Sequence, residues 1–302
     1  MTSSSEIALV GIGNMGAALA HALLGAGTKV TAWNRTADRA LVKSVISAGA
    51  SFQPDLSQAI HNSSGLVIVC VLNYDTIYTI FGSLAAANDA LAGKTVINLT
   101  NGTPKQAAEM KEWIMGHGAD DYYDGAVLVT PQMVATPQSL LVYSGGTEDA
   151  FDGIREHLLP LGLPLYYGPT VEAAAAQDLA MLATMYGMFY GAFVGVGMLK
   201  QIGRASGAQV APGIKQITAP IIAALTPLLS LFAEIIDKED WSDNGGNPLS
   251  MQVAAVENII QAAADSNVDA GGFAVLVNAM KQAVKSGWGD GSLTAAIVHM
   301  MK

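Results

Sequence analysis

The sequence predicts a doubly wound α/β domain in its first half, then a long helix, then an all-helical second half. Three observations carry that prediction. Short β-branched runs alternate with helical periodicity through the first half, the glycine pattern VGIGNMG directly follows the first run, and no convincing strand follows Gly168 and Pro169.

EIALV reads as the first strand, and the Ala- and Leu-rich segment behind it as a helix to about Ala26. KVTAWN is the next strand, a helix lies near residues 37 to 48, and LVIVCVL, TVINLT and SLLVYSG supply further strands. Strands alternating with helices imply βαβ units and a mostly parallel sheet. Thr170 is placed to cap the following helix, with Glu172 favourably in its first turn, and the helical pattern runs to about Ala205 before Gly207. Such a helix would be roughly 50 Å long, more than one small domain spans. It needs something else to lie against. Residues 219 to 236, 248 to 265 and 271 to 285 supply more helices, with a turn-rich break at SDNGGNP. The expected division is 1–168 for a dinucleotide-binding domain, 169–206 for the long helix, and 207–302 for a helical substrate and dimerisation domain. Gly187, Gly191, Gly195 and Gly197 would allow close helix approach, although glycine inside a helix costs about 1 kcal/mol relative to alanine.

The chain has 302 residues, of which 51% are hydrophobic and 13% charged, so it can bury a large core. Fifteen basic against 25 acidic residues give a formal charge of −10 with no basic block, which argues against nucleic acid or an anionic membrane as partner. MTSSSEIALVGIG lacks the basic n-region of a secretory signal, so the expected location is cytoplasmic. The 21 uncharged residues from Leu179 to Leu199 reach the length of a membrane span. Four glycines, Thr184, Tyr186 and Tyr190, and the absence of a polybasic flank favour instead a helix covered by protein on most sides. Cys70 lies within an apolar run and reads as an inert core thiol. The five histidines show no ligand spacing, and no metal is expected.

Gly11, Gly13 and Gly16 form G-x-G-x-x-G between a strand and a helix. They serve a tight turn, close backbone approach to a pyrophosphate, and close helix packing. Ile12, Asn14 and Met15 belong to the same loop. At the end of the second strand an NAD enzyme usually carries an acid, but here the sequence is TAWNRTADR. Asn34, Arg35, Thr36 and Arg39 suit a 2′-phosphate, and NADPH is the expected cofactor. VLNYD, with Val71 and Leu72, and NLTNGTP, with Asn98, Thr100 and Asn101, fall where strand C-termini line the crevice. Asn101 is a candidate for the nicotinamide or substrate edge; the alternative is turn chemistry before a helix beginning at Pro104.

Asp178 stands among alanines, leucines and methionines. A buried unpaired carboxylate is costly, so it either meets an unseen cation or has a chemical role. Tyr186 lies about 80° around the helix and about 12 Å along it, so the two can border one cavity but not bond directly. Met181, Met185 and Met188 read as packing.

GIGNMG, WNRT, NLTNGTP and the long helix, in this order, resemble the β-hydroxyacid dehydrogenase superfamily. The closer likeness is to its imine reductase branch and the fungal reductive aminases, and it extends through NPLSMQVAAVENII and GWGDGSLTAAI. The resemblance implies a Rossmann-like domain, an intertwined homodimer with its cleft between the cofactor domain of one chain and the helical domain of the other, and NADPH-dependent reduction of an imine formed from a ketone or aldehyde and a small amine. It implies Asp178, Tyr186 and Asn101 as catalytic residues and brings Met251 and Gln252 into the substrate pocket. For Gln252 a satisfied helix amide is the alternative. The hydroxyacid dehydrogenases carry a lysine that aligns with Asp178, and a glycine-rich carboxylate loop where this chain has VLVTPQ. A hydroxyacid-type dehydrogenase is therefore the enzymatic alternative, and a non-catalytic NADPH-binding dimer the other. Where the family implies an aromatic side chain near Ala219 to Ile222, none stands. An aspartate in place of lysine would favour an iminium or ammonium cation, since opposite charges at 4 Å interact by about 4 kcal/mol at an effective dielectric of 20.

Overall fold

The computed structural model describes residues 6–84, 91–204 and 206–301. Residues 1–5, on which the leader reading rests, and the expected helix end at Ala205 lie outside them. The chain divides into two compact units, 1–184 and 185–302.

In the first unit β1 (Glu6–Val10), α1 (Asn14–Gly25), β2 (Lys29–Trp33), α2 (Ala40–Ser47), β3 (Ser51–Phe52), α3 (Leu56–Asn62) and β4 (Leu66–Val69) follow in order. Then come α4 (Tyr74–Gly82), β5 (Thr95–Asn98), α5 (Pro104–Gly116), β6 (Asp121–Val127), β7 (Leu140–Ser144), α6 (Glu148–Leu158) and β8 (Leu163–Tyr166), before α7 (Glu172–Ile202). One sheet results, in the order β3-β2-β1-β4-β5-β6-β7-β8. Every neighbouring pair is parallel except β6 with β7. The strand order reverses between β1 and β4, where a crevice opens at the strand C-termini.

Period-two alternation builds the core on both faces of this sheet. Ile7 and Leu9 join Leu19 and Leu23 of α1, Val42 and Val45 of α2, and Phe151 and Leu158 of α6. Ala8 and Val10 join Ile60 of α3, Ile77 and Phe81 of α4, and Met110 and Ile114 of α5. Pro104 opens α5, as the sequence predicts, and Thr103 and Gln106 close a capping box there. The cap expected from Thr170 is provided from the sheet instead: Ser144 Oγ accepts the Ala174 N–H at 2.9 Å and donates to the Val171 carbonyl at 2.8 Å.

Three strands escape the sequence reading for physical reasons. β3 has only two residues, β8 is an edge strand containing Pro164, and β6 (DYYDGAV) mixes two aspartates and a glycine with its apolar residues.

In the second unit, the helical stretch Ala211–Lys238 begins earlier than the expected 219, and Leu249–Asp265 and Gly272–Ala283 match the predicted helices closely. Trp241, Leu249, Met280, Ala295 and Ala296 form their core. Gly197 lets Val268 approach to 3.1 Å of where a Cβ would stand, and Gly191 lets Phe273 approach to 3.8 Å, whereas Gly187 and Gly195 face open space. The expectation that protein covers the long helix on most sides is not met within one chain. Glu172–Ile202 and Ala211–Lys238 are each long and apolar enough to cross a membrane, and only 6% of the most apolar stretch of each is buried.

Tyr143 sits wholly inside the first core, its hydroxyl without a hydrogen-bond partner among the described residues. A buried unsatisfied hydroxyl costs about 1–3 kcal/mol. Tyr143→Phe is therefore expected to raise the unfolding free energy by about 1 kcal/mol in urea titrations; a loss of stability would show that the hydroxyl is satisfied in solution.

Candidate active site

The chain turns sharply after β1. Gly11 has φ +100°, and a Cβ there would stand 2.3 Å from the Cys70 carbonyl oxygen, so only glycine fits. A Cβ on Gly16 would lie 1.9 Å from the Gly11 carbonyl oxygen, so α1 packs directly on the turn. Gly13 faces open space and caps α1 without a side-chain bond. The first-turn N–H groups of α1 are thereby left for an anion, and the backbone beside them can be approached closely. This cradle fits a dinucleotide pyrophosphate.

In front of it lies a cleft of about 460 Å³. Its walls include Gly11, Gly13, Asn14, Met15 and Gly16 from the turn, Asn34, Arg35, Thr36 and Arg39 from the loop after β2, and Val71 and Leu72 from the loop after β4. Of the predicted loop residues, Ile12 turns into the core, 0% exposed, and offers only its backbone. Trp33, Cys70, Thr76 and Ile80 also line the cleft and were missed by sequence reasoning. Their types carry no cofactor signal, and only the folded loops bring them there.

Asn34 has a different task from its neighbours. Its Oδ1 accepts the Ile12 N–H at 2.9 Å and its Nδ2 donates to the Thr36 carbonyl at 2.8 Å, so the amide ties the glycine turn to the loop after β2. Arg35 and Arg39 are exposed and form no ion pair among the described residues, while the loop's acid, Asp38, pairs with Lys43. Two cations beside a hydroxyl suit a phosphate monoester.

Behind the cleft, Asn98 and Thr100 are 1% and 2% exposed and are consumed in holding their own loop. Asn98 Oδ1 accepts the Thr100 N–H at 3.0 Å, and Thr100 Oγ1 accepts the Val71 N–H at 3.1 Å. Asn101 projects from this loop, and its Nδ2 donates to Asp178 Oδ2 at 2.7 Å. Asp178, 6% exposed, therefore meets an amide, and among the described residues no basic side chain pairs with it. Burial pushes its carboxyl above the ordinary range, and the bond from Asn101 opposes that rise.

Tyr186, Met251 and Gln252 stand in the second unit. Tyr186 is 63% exposed and edge-on to Phe189, with ring centroids 6.2 Å apart. Met251 is exposed, and Gln252 Nε2 donates to the Asn247 carbonyl at 2.7 Å, within its own helix start. Among the described residues no group of three or more His, Cys, Asp or Glu side chains is placed to hold a metal ion. A second buried carboxylate, Asp124, also escaped the sequence reading because its strand did.

Residues 6–168 match the family described as the NAD binding domain of 6-phosphogluconate dehydrogenase. Residues 171–302 match the C-terminal domain described as NADPH-dependent reductive aminase-like. The chain is 36% identical over 296 residues to an NADPH-dependent reductive aminase of Aspergillus oryzae, covering 98% of this chain and 97% of that one. It is similar to the reductive aminase from Aspergillus terreus in complex with NADPH4, cyclohexanone and allyl amine, with TM-score 0.86, 30% identity, and 99% and 100% of the two chains covered. It is also similar to the imine reductase from Aspergillus terreus in complex with NADPH4 and dibenz[c,e]azepine, with TM-score 0.85, 31% identity and the same coverage.

Replacing Arg35 and Arg39 together by alanine is expected to weaken binding of a 2′-phosphorylated dinucleotide about tenfold or more, from loss of charge-assisted bonds, and to leave the unphosphorylated one nearly unchanged. Equal weakening of both, by fluorescence titration, would remove the two arginines from phosphate recognition.

Proposed function

The chain belongs to the NADPH-dependent reductive aminase family of oxidoreductases acting on C=N bonds, and from that membership we propose roles for its own residues in coupling a ketone or aldehyde to a small amine. The bond between Asn101 and Asp178 carries the proposal: it leaves a buried carboxylate held by a neutral donor and open to a cation. NADPH, when bound, supplies the hydride that reduces the imine carbon.

Gly11, Gly13 and Gly16 bear the pyrophosphate on the N-terminus of α1, Arg35, Thr36 and Arg39 take the 2′-phosphate, and Asn34, Ile12, Val71 and Thr100 hold the loops between them. Asp178 accepts a proton from the incoming ammonium, leaving a free lone pair on nitrogen to add to the carbonyl carbon. Asp178 returns that proton to the carbinolamine hydroxyl, which leaves as water, and the re-ionised carboxylate stabilises the positive nitrogen of the resulting iminium as carbon receives hydride. Burial raises the proton affinity of Asp178 and improves it as a base, while Asn101 keeps a share of it ionised. The second N–H and the carbonyl of the Asn101 amide, without a partner among the described residues, are assigned to orienting the substrate oxygen. Tyr186 is assigned to proton relay at that oxygen, and Met251 and Gln252 to the substrate pocket.

The working division is 1–168 for the cofactor, 169–206 for a helix linking the domains, and 207–302 for substrate and dimerisation, in a cytoplasmic homodimer. Support for the dimer comes from exposed apolar side chains along α7 and the next helix: Tyr186 63%, Phe193 72%, Ile202 73% and Ile217 67%. Monomeric soluble proteins rarely leave such patches open.

Incubation with NADPH, a cyclic ketone and a primary amine is expected to give amine-dependent loss of NADPH, and Asp178→Ala to lower that turnover by at least about 10²-fold. Unchanged kinetics would take Asp178 out of the reaction, and reduction of the ketone without amine would point to a hydroxyacid-type enzyme. Sedimentation without detergent is expected to give twice the chain mass; a monomer, or protein that requires detergent, would overturn the dimer.

A further inference from the structure

The proposed chemistry uses one buried carboxylate, yet β6 holds a second. Along β6 alternate residues share a face, so Tyr122, Asp124 and Ala126 point the same way. Tyr122 belongs to the cluster containing Val171, and Ala126 packs with Ala174. Val171, Ala174, Ala175 and Asp178 form the buried stripe of the α7 start at helical spacing. Asp124, 1% exposed, therefore lies in the layer between β6 and the stripe that bears Asp178.

One oxygen of Asp124 takes three bonds. Its Oδ1 accepts from the Tyr74 hydroxyl at 2.5 Å, the Tyr122 hydroxyl at 3.1 Å and Asn98 Nδ2 at 3.2 Å. Two of these partners grip the loop that carries Asn101. Asn98 opens it and bonds the Thr100 N–H, and the Tyr74 ring fills the space beside Gly102, where a Cβ would stand 2.2 Å from Cε2. Asn101, between those two anchors, donates to Asp178.

We propose that Asp124 is a positioning residue of the active site, holding the loop that presents Asn101 to Asp178 and coupling its own charge to that of Asp178 across the layer between β6 and α7. The proposal rests on Asp178 as the reacting carboxylate. Burial raises Asp124 to about 7, the bonds from Tyr74, Tyr122 and Asn98 oppose the rise, and the charge of Asp178 adds to it. The groups facing Asp124 are Tyr74 of α4, Asn98 of β5, Tyr122 of β6 and Asp178 of α7. From β7, Ser144 stands opposite in register and spends its hydroxyl on α7. The charge of Asp178 holds the Asp124 proton to higher pH. Ionisation of Asp124 adds a negative charge to this layer, so a substrate cation meets a stronger field as pH rises.

Asp124→Asn keeps the shape and removes the charge. It is expected to lower kcat about tenfold to a hundredfold, because Asn101 and Asp178 lose their register, and to abolish the limb of the pH profile near 7. Tyr74→Phe, should Asp124→Asn fail to fold, removes a bond that stabilises the ionised form and is expected to move that limb to higher pH. Enzyme labelled with ¹³C-aspartate gives a readout independent of turnover. A carboxyl titrating near 7 should be absent from Asp124→Asn and move to lower pH in Asp178→Asn. Wild-type kcat and pH profile in folded Asp124→Asn, an unmoved limb in Tyr74→Phe, or an Asp124 signal indifferent to Asp178→Asn would each overturn the proposal. Absence of amine-dependent turnover in the wild type would instead sink the assignment of Asp178, with the carboxyl titration still deciding whether the pair is coupled.

Discussion

A carboxylate taken out of water without a counter-cation rises in proton affinity unless neutral donors replace the solvent. The first unit is organised by that constraint. Asp178 receives an amide N–H from Asn101, and Asp124 receives two phenol hydroxyls and an amide. A lysine or arginine in either place would neutralise the charge inside the fold and leave nothing to attract a cation. Amides and hydroxyls stabilise a carboxylate only in part, and the remaining negative potential is available to a positively charged nitrogen.

The sheet order explains how these groups meet. β1, β4, β5 and β6 are consecutive neighbours, so the glycine turn, the loop at Val71, the loop at Asn101 and Asp124 come from adjacent strands. Hydrogen bonds then join each loop to the next: Ile12 to Asn34, Val71 to Thr100, and Asn98 to Asp124. Displacing one loop disturbs the others, since each bond satisfies a group that would otherwise be left buried and unpaired. The site is therefore held by the ends of strands rather than by long flexible segments.

Local patterns were legible in the sequence, and long-range ones were not. The alternation of EIALV, KVTAW and LVIV, the glycine turn and the helix opened by Pro104 follow from periodicity and turn chemistry within a dozen residues. Asp178 also stood out, because a lone acid in an apolar helix violates the pattern around it. Asp124 obeys the same logic, but DYYDGAV has a polar residue at each end of a tyrosine pair, and the alternation that makes it a strand is visible only once β5 and β7 flank it. Asn34 was read as a phosphate donor from its type and position. Its bond from Ile12 reaches a turn 22 residues away, which no spacing rule reports.

The exposed half of α7 belongs to the same argument. The stripe from Val171 to Asp178 buries the start of α7 in the first unit. The later turns of α7 display Phe189, Phe193 and Leu199 to solvent in the single chain. Burial of such side chains yields about 25 cal/mol per Å² of apolar area, which is the driving force that association along this face would draw on. The dimer proposed above would cover these apolar turns.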